Sequence, residues 1–387
     1  MSWPLVKLGE VAPSKALKNP VVLSDDNVWQ LNLDMVESNS GRIINKLKAP
    51  LSEAGSSTHW FDERHVLYSK LRPYLNKVVL PDEQGLATTE LVPMLPDPEK
   101  LDRRYLVHYL RSKQFVSWIS DQVAGAKMPR VSMKIFWDHE IPLPPLAEQK
   151  RIAAILDKAD AIRQKRKQAI ELADEFLRSV FLDMFGDPVT NPKGWEVKKL
   201  SNIAHIQIGP FGTQLHKEDY IENGIPLINP THIVQGSIVP NSNLTISSKK
   251  HRELSEYHLK AGDIVMGRRG EMGRCAIVHE QEAGWLCGTG SVFIRPQNIG
   301  VFSEYLNKLL SSQAIKKHLE SESQGATMPN LNKTIVGNIQ IPVPSDEALE
   351  QFSLLKAKCL NYLEISNIFS SEQYFEALGQ KAFSGQL

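Results

Sequence analysis

The chain repeats itself over a distance of about half its length. The segment "YLVHYLRSKQF", which begins at Tyr105, matches "YLNKLLSSQAI", which begins at Tyr305. The segment "GAKMPRVSMKIFWDHEIPLP" from Gly125 likewise matches "GATMPNLNKTIVGNIQIPVP" from Gly325, again 200 positions later. A repeat of this length predicts two copies of one globular plan. Two domains also fit a chain of 387 residues, which is too long for one ordinary core.

Each copy ends in a proline-rich spacer that leads into a helical pattern. "IPLPP" occupies residues 141–145, and "IPVP" occupies residues 341–344. Because proline cannot continue a helix interior, these segments predict where two helices begin. The sequence therefore predicts an α+β fold in which two pseudo-repeated α/β domains are separated by a long antiparallel two-helix coiled coil. The expected boundaries are residues 1–145 for the first domain, 146–186 for the first helix, 191–344 for the second domain and 345–387 for the second helix.

Apolar residues in the first helical segment recur at alternating steps of three and four, which is typical of a coiled-coil seam. The second segment carries a less regular stripe. The first helix leads from the first domain to the second, and the second helix starts at the second domain, so the pair is expected to be antiparallel. The alternative is that both helices belong to the core of a larger bundle. The predicted seam consists of Ile152, Ile155, Ala159, Ile162, Ala169, Ala173, Phe176 and Val180 in the first helix, and Phe352, Leu355, Cys359, Tyr362 and Phe369 in the second.

Composition and motif content exclude several classes of protein. Lys and Arg total 45 against 44 Asp and Glu, so a nucleic-acid-binding chain would have to cluster its cations. No apolar stretch approaches the ~18 residues of a membrane span, and the first residues lack the pattern of a signal peptide. Cys275, Cys287 and Cys359 lack zinc-finger spacing and indicate reduced thiols in the cytoplasm. The phosphate-loop, HExxH and nucleophile-elbow motifs are absent, so no catalytic residue, cofactor or metal is predicted.

Cations and amides are grouped in glycine- or proline-bearing loops of both halves. Examples are "YSKLRPY" and "GAKMPRVSMK" in the first half, and "QIGPFGTQLHK", "GRRGEMGR" and "MPNLNK" in the second. Arg, Lys, Asn and Gln are the residue types that read base edges or hold phosphates. Any one of these loops can instead be an ordinary solvated surface, but their presence in both halves puts DNA binding on an equal footing with that interpretation. The predicted DNA-binding residues are Lys70, Arg72, Lys127, Arg130, Lys134, Gln207, Thr213, Gln214, Lys217, Arg268, Arg269, Arg274, Asn330, Asn332 and Lys333.

Over essentially its whole length the chain resembles the specificity subunits of type I restriction-modification systems. The resemblance is carried by "IPLPPLAEQKRIAAILDKADAI", by "FLRSVFLDMFGDP" and by "KGWEVKKLSNIA". It is carried further by "GPFGTQLHKEDYIENGIPLIN", "LKAGDIVMGRRGEMGRCAIV" and the final "KAFSGQL". In the second helical segment, the sequence "SDEALEQFSLLKAKC" differs from the sequence "PLAEQKRI" of the first.

The resemblance implies a non-catalytic subunit that binds double-stranded DNA. Each globular domain would be a target-recognition domain that reads one half of a split, asymmetric site. The two helices would form the spacer that sets the distance between the half-sites. They would also dock two methyltransferase subunits, and restriction-translocation subunits would join the complex.

Two other classes of function fit parts of the pattern. A coiled-coil adaptor with two globular heads would bind proteins and would show no salt-sensitive affinity for DNA. Phosphate contacts, in contrast, predict an affinity that falls steeply as the salt concentration rises. A methyltransferase with fused recognition domains would require a cofactor-binding loop, which the sequence lacks.

Overall fold

The computed structural model describes residues 3–22, 27–123, 128–269, 273–298, 300–322, 331–365 and 371–387, without the side chains of 213, 322, 362–365 and 371–373. The chain divides into two compact units. Unit 1 comprises Met1–Ala169 and Ile365–Leu387, and unit 2 comprises Ile170–Glu364. Both units mix helices and strands, as the α+β class predicts. The boundary lies inside the first helical segment, so each unit includes part of that helix.

The described part of unit 1 contains three small sheets. One has the strand order β3-β2-β7-β4, with β2 parallel to β7. A second has the order β6-β5-β8, and β1 pairs antiparallel with β9. The elements of unit 1 in chain order are β1 (Leu5–Lys7), α1 (Leu8–Val11), β2 (Asn27–Leu31), β3 (Lys48–Pro50), β4 (Thr58–Phe61), β5 (Val66–Ser69), β6 (Val78–Val79), β7 (Gly85–Thr88), β8 (Leu91–Met94), α2 (Arg103–Leu110), α3 (Lys113–Asp121), α4 (Met133–Asp138), β9 (Glu140–Pro142) and the first part of α5 (Leu146–Phe185).

Two amphipathic helices of unit 1 supply much of its core. α2 begins after Asp102, whose carboxylate accepts hydrogen bonds from the backbone N–H groups of Arg104 and Tyr105. α3 begins after Ser112, whose hydroxyl accepts from the backbone of Phe115. The apolar faces of both helices are buried with the side chains of β5, β6 and β8 in one cluster. Burial of these faces holds the β6-β5-β8 sheet in place.

Unit 2 repeats this plan with more strands. Its described sheets have the orders β11-β20-β17-β18 and β12-β16-β13-β19, with two-stranded pairs β10-β21 and β14-β15. Besides the second part of α5, its elements are β10 (Glu196–Lys199), α6 (Leu200–Ile203), β11 (Ala204–Ile208), β12 (Tyr220–Ile221), β13 (Ile225–Ile228), β14 (Ile233–Val234), β15 (Ser237–Ile238), β16 (Thr245–Ile246), α7 (Ser248–Glu253), β17 (Ile264–Gly267), β18 (Cys275–Ile277), β19 (Leu286–Cys287), β20 (Ser291–Pro296), α8 (Val301–Leu310), α9 (Gln313–Glu322), α10 (Lys333–Gly337), β21 (Gln340–Val343) and α11 (Asp346–Ile365).

The internal repeat of the sequence is matched by equivalent contacts in the two units. The Tyr105 hydroxyl donates to the carbonyl of Pro142 at 2.8 Å, and the Tyr305 hydroxyl donates to the carbonyl of Pro342 at 2.7 Å. The parallel pairing of β2 with β7 in unit 1 recurs as the parallel pairing of β13 with β19 in unit 2. The two units are therefore versions of one fold, and positions in one can be compared with positions in the other.

The helix α5 runs without a break for 40 residues, from the residue after Pro145 to the residue before Gly186. At ~1.5 Å per residue such a helix is about 60 Å long. Its first part buries Ile152, Ala153 and Leu156 in the core of unit 1. Its last part buries side chains in the core of unit 2, where Phe185 packs 4.9 Å from Tyr305 between ring centroids. No helix among the described residues is both long and apolar enough to cross a membrane.

Four residues of the predicted seam are exposed. The side chains of Ile162 and Phe176 are 65% and 53% exposed, and Ala169 and Leu355 are exposed as well. Ile152 and Phe352 are buried, and Ile155, Ala159, Ala173, Val180 and Cys359 are half-buried. Phe369 and the side chain of Tyr362 lie outside the described residues.

The core of each unit determines which face of α5 is buried at that end of the helix. Leu156, Leu177 and Phe181 are buried, and each lies one position beyond a predicted seam residue. An apolar spacing of three and four permits either of two adjacent registers on a helix. The sequence pattern alone does not distinguish them, whereas packing against each globular core does.

A polar network fixes the first part of α5 to the rest of unit 1. Asp157 Oδ1 lies 2.7 Å from His108 Nε2, and Asp157 Oδ2 accepts from Arg104 Nη1 at 3.1 Å. The buried Asp160 lies 3.7 Å from Arg111 Nη2. Burial alone would raise the pKa of the Asp157 carboxyl, but the hydrogen bond and charge of His108 and the charge of Arg104 lower it overall. The network therefore stabilises the folded unit at neutral pH, and this contribution is lost as the pH falls through the folded-state pKa of Asp157.

The C-terminal helix α12 (Ser371–Phe383) completes the core of unit 1. The ring of Phe383 packs against Tyr105 and Tyr109, at centroid distances of 5.5 and 5.2 Å. Near the start of α5, Arg151 Nη2 donates to the carbonyl of Leu387 at 2.9 Å. Further along α5, the guanidinium of Arg163 lies over the ring of Phe375. The start of α5 thus contacts the residue that follows the end of α12, and a later part of α5 contacts an earlier part of α12. The two helices are therefore antiparallel within unit 1.

Replacing Phe383 with Ala should destabilise unit 1 selectively. The substitution empties a buried ring position, and such changes cost about 3–5 kcal/mol. In urea unfolding followed by intrinsic fluorescence, we expect one part of the transition to move to lower urea while the remainder stays in place. Gln380→Ala, an exposed position on the same helix, is the control and should leave the curve unchanged. A uniform shift of the whole curve would contradict a role confined to unit 1.

Candidate nucleic-acid interface

Backbone hydrogen bonds bring three loops of unit 1 together. The Lys70 N–H donates to the carbonyl of Glu90 at 3.0 Å, and the Val131 N–H donates to the carbonyl of Lys70 at 2.9 Å. The Arg72 N–H donates to the carbonyl of Pro129 at 2.8 Å. The end of β5, the turn between β7 and β8 and the segment before α4 therefore lie side by side. We call this surface edge 1 and define it as residues 69–76, 88–91 and 129–131.

Edge 1 contains three of the predicted DNA-binding cations. Arg72 is exposed and Lys70 is half-buried. Arg130 is exposed and forms a two-point ion pair with Glu90, in which Nη2 and Nε lie 3.0 and 3.3 Å from Oε1. This hydrogen-bonded pairing raises the pKa of Arg130. A carboxylate that binds one side of a guanidinium also fixes its orientation, so Glu90 determines where Arg130 points.

The turn after β5 has an unusual backbone. Arg72 and Asn76 both have φ of 49°, in the left-handed region that residues other than glycine rarely adopt. They flank a single turn of 3₁₀ helix, Pro73–Leu75. Such conformations cost of order 1–3 kcal/mol each and cluster at functional sites. This strained turn lies at the exposed end of edge 1.

Unit 2 builds a second edge in the same way. The Arg268 N–H donates to the carbonyl of Gly290 and the Leu331 N–H donates to the carbonyl of Arg268, both at 3.0 Å. These bonds repeat those that link Lys70 with its two neighbouring segments in unit 1. The Gly209 N–H also donates to the carbonyl of Ser291 at 3.0 Å. We call this surface edge 2 and define it as residues 209–217, 267–269, 288–291 and 331–333.

Close backbone packing fixes the loop that follows β11 in edge 2. A Cβ atom on Gly209 would lie 1.9 Å from the carbonyl oxygen of Gly288, so only glycine fits there. Gly212 has φ of 62°, which again favours glycine. Gln214 Oε1 accepts hydrogen bonds from the Phe211 N–H at 3.3 Å and from the Tyr257 hydroxyl at 3.0 Å. The loop is therefore held from several sides.

The structure separates the predicted residues of unit 2 by their surroundings. Arg268 is only 8% exposed, and burial lowers its pKa, whereas its neighbour Arg269 is exposed. Asn332 Oδ1 caps α10 by accepting from the Ile335 N–H at 2.8 Å. The amide of Gln214 holds its own loop, as described above. Lys217 and Lys333 are exposed, and Gln207 and Arg274 are half-buried.

Three predicted residues lie outside the described residues wholly or by their side chain, and Lys134, Gln207 and Arg274 lie outside the two edges. Lys127, Asn330 and the side chain of Thr213 lie outside the described residues. Lys134 is exposed on α4, beyond edge 1. The sequence interpretation missed Glu90, whose carboxylate orients Arg130, because pairing across 40 positions leaves no local signal. It also missed the exposed rings of Tyr74 and Phe211, although both lie inside the quoted loops.

Neither edge contains a grouping typical of a metal centre. Among the described residues, no cluster of three or more His, Cys, Asp or Glu side chains is positioned to hold a metal ion. The two edges expose cations, amides and two aromatic rings to solvent on a hydrogen-bonded backbone. These groups can hold phosphates and contact bases.

Comparisons with known proteins identify the family. The family model described as "Type I restriction modification DNA specificity domain" matches residues 61–172 and 192–356, which together are more than half of the chain. A type I restriction enzyme specificity subunit of Methanocaldococcus jannaschii, MjaVIII, is 28% identical over 306 residues, covering 73% of this chain and 69% of that protein. The EcoBI specificity subunit of Escherichia coli is 23% identical over 304 residues, covering 73% of this chain and 63% of that protein.

Solved structures share the fold. A type I restriction-modification S subunit from M. genitalium superposes with a TM-score of 0.58 at 16% identity, covering 98% of this chain and 96% of that one. A chain from a structure describing assembly and conformational transition of the type I R-M system gives a TM-score of 0.51 at 19% identity, covering 100% and 98%. Each matched segment includes all residues of one edge. The chain belongs to the family of type I restriction-modification DNA specificity subunits.

Proposed function

We propose that this chain is the non-catalytic subunit that gives a type I restriction-modification complex its DNA sequence specificity. Each unit reads one half of a bipartite, asymmetric site in double-stranded DNA. The observation that carries this proposal is the pair of edges, which share one backbone arrangement and differ in their side chains. Two such edges suit two different half-sites.

In this proposal the exposed cations hold phosphates and position each unit, while other edge residues distinguish base pairs. In unit 1 these cations are Arg72 and the oriented Arg130, with the half-buried Lys70 beside them. In unit 2 they are Arg269, Lys333 and Lys217. Each good base contact discriminates by ~1–3 kcal/mol, so one unit alone selects only a short sequence. Joining two units makes the second binding event intramolecular and multiplies the selectivity.

The helical segments form the spacer in this proposal. α5 and the C-terminal helices pair antiparallel, set the distance between the half-sites and dock two methyltransferase subunits. The exposed apolar residues Ile170, Leu172 and Phe176 of α5 and Leu354 and Leu360 of α11 support docking of a protein. Restriction-translocation subunits join the same complex. The assembly works in the cytoplasm, where it meets DNA and where the thiols stay reduced.

Arg269→Ala should weaken recognition of one half-site only. The recognised sequence is first established by sequencing methylated adenines in a host that carries the chain with its partner subunits. Affinity is then measured for duplexes in which one half is cognate and the other scrambled. We expect the variant to lose affinity for the half read by unit 2 and to show a salt slope smaller by about 0.9 for one lost phosphate contact.

Arg252→Ala, which removes the same charge from an exposed position on α7, is the matched control and should leave both halves unaffected. Arg72→Ala should have the reciprocal effect on the other half. Equal losses in both halves for either variant would be inconsistent with two independent reading units.

Arg268→Ala should instead act on folding. Because the Arg268 side chain is buried beside the backbone of edge 2, its removal should lower the free energy of unfolding by about 1–3 kcal/mol. Arg269→Ala should change it by less than about 0.5 kcal/mol. Thermal unfolding monitored by circular dichroism distinguishes the two, and equal stability of both variants would contradict the buried placement of Arg268.

Deleting residues 169–172 should change the tolerated gap between half-sites. These four residues are exposed, so no core contact is lost. The deletion shortens α5 by about 6 Å, which corresponds to one or two base pairs of B-DNA at ~3.4 Å each. Methylation assays on sites with a graded gap measure the effect. A variant with alanine at the same four positions keeps the helix length but also lacks the Ile170 and Leu172 side chains, so its methylation of the parental site measures their contribution to docking separately. A deletion variant that retained the parental gap would refute the spacer role.

A further inference from the structure

Aromatic rings are rarely exposed in the described part of this chain. Four Phe, Tyr or Trp side chains are exposed there: Tyr74, Phe176, Phe211 and Tyr374. Phe176 and Tyr374 lie on the helices α5 and α12. The other two lie on the edges, where Tyr74 in edge 1 is 49% exposed and Phe211 in edge 2 is 64% exposed. Each edge therefore presents one aromatic ring to solvent.

The ring of Tyr74 is carried by a rigid turn. Tyr74 lies in the 3₁₀ turn that Arg72 and Asn76 flank with left-handed backbone. The Asn39 N–H donates to the carbonyl of Leu75 at 3.1 Å, and Asn76 Nδ2 donates to the carbonyl of Arg111 at 3.2 Å. The turn is thus tied to two other parts of unit 1. Its one exposed ring stands two residues from the exposed cation Arg72.

The ring of Phe211 lies in a loop that is likewise fixed by hydrogen bonds and close backbone packing. Its own N–H is bound by Gln214, which Tyr257 holds in turn. Two residues before the ring, Gly209 is packed against the backbone of Gly288 with no room for a side chain. The same loop continues to the exposed cation Lys217. The backbone is fixed on both sides of Phe211, and the ring still faces water.

The two rings are not equivalent positions of the repeat. At the 192-residue offset that relates Trp3 to Trp195, the residue of unit 1 that corresponds to Phe211 is Asn19. Arg268 corresponds to Lys70, and Tyr74 lies four residues after Lys70. The corresponding segment of unit 2, residues 268–275, contains no aromatic residue. The two units therefore place an aromatic ring at different points of a shared scaffold. Different placement suits the reading of different sequences.

The surroundings of these rings favour nucleic acid over protein as the partner. Cores of protein interfaces group apolar side chains together, and they are depleted in lysine but enriched in aromatic residues and arginine. The exposed apolar residues of α5 and α11 are grouped in this way, but Tyr74 and Phe211 are single exposed rings in loops that also carry the exposed cations Arg72 and Lys217. Proteins that bind double-stranded DNA use apolar side chains in this way, to contact thymine methyl groups or to enter base steps.

We propose that Tyr74 and Phe211 are the base-contacting aromatic residues of unit 1 and unit 2. Each ring makes apolar contact with bases of its own half-site, while the neighbouring cations hold the phosphates. The strained turn and the packed glycine fix each ring before DNA arrives, which reduces the entropy lost on binding. This inference rests on the proposed function and adds specificity-determining residues to it.

The test uses the full chain in complex with its methyltransferase subunits and the variants Tyr74→Ala and Phe211→Ala. Affinities are measured on the cognate duplex and on duplexes altered at single base pairs in one half. Each variant should bind the cognate duplex on the order of 10- to 100-fold more weakly, as for the loss of one base-pair contact. Tyr74→Ala should lose discrimination only in the half read by unit 1, and Phe211→Ala only in the other half.

The salt dependence separates this role from a phosphate contact. A ring that contacts bases neutralises no phosphate and so releases no counterion on binding. Its removal should leave the slope of affinity against salt unchanged, whereas Arg269→Ala should reduce that slope. Tyr74→Phe and Phe211→Tyr keep the ring and should retain discrimination. Because both rings are exposed, the variants should unfold at the same temperature as the unsubstituted protein.

The outcomes distinguish the inference from the function on which it rests. An unsubstituted complex that failed to discriminate between cognate and altered duplexes would overturn the proposed function itself. A complex that discriminates, with both Ala variants discriminating equally well, would overturn the aromatic contacts alone. Loss of methyltransferase subunits from either variant in size-exclusion chromatography, with DNA discrimination intact, would assign the rings to a protein interface and overturn the inference.

Discussion

Packing of a helix end against one buried tyrosine completes the core of each unit. In unit 1 the tyrosine is Tyr105 and the ring that covers it is Phe383, from the far end of the chain. In unit 2 it is Tyr305, covered by Phe185 at the end of α5. Each hydroxyl also closes a hydrogen bond to the carbonyl of a proline in the last strand of its unit. The sheets that position the two edges depend on these cores, because short strands are not stable without a covered apolar face.

The edges show how one scaffold can present two different sets of side chains. Main-chain hydrogen bonds define the arrangement of the loops, and they recur in both units whatever the side chains are. Side chains are then free to differ: Glu90 and Arg130 form an ion pair in unit 1, while Gly290 stands at the matching position in unit 2. The polar contacts between a unit and its helix differ as well. The α11 residues that match Asp157 and Asp160 of α5 are Ala357 and Leu360.

Much of the fold could be predicted from the sequence because repeats and prolines are local signals. The repeat indicated two similar units, and α5 starts directly after the proline run that predicted a helix start. The register of the buried face could not be predicted, since Ile155 and Leu156 both fit the spacing and only the core of unit 1 distinguishes them. Likewise Arg268 and Arg269 are adjacent and chemically identical, but strand geometry buries one and exposes the other. Partners across long sequence separations, such as Glu90 for Arg130, leave no pattern to read.

The position of Phe383 has a consequence for synthesis on the ribosome. Domains usually fold in the order in which they emerge, the N-terminal one first. Here all residues of unit 2 have been synthesised by position 364. Unit 1 still lacks Ala382 and Phe383, which are part of its core, until α12 has been translated. The first unit to emerge is therefore the last to reach its native state. A truncated product that stops before α12 would lack Phe383 and with it part of the core of unit 1.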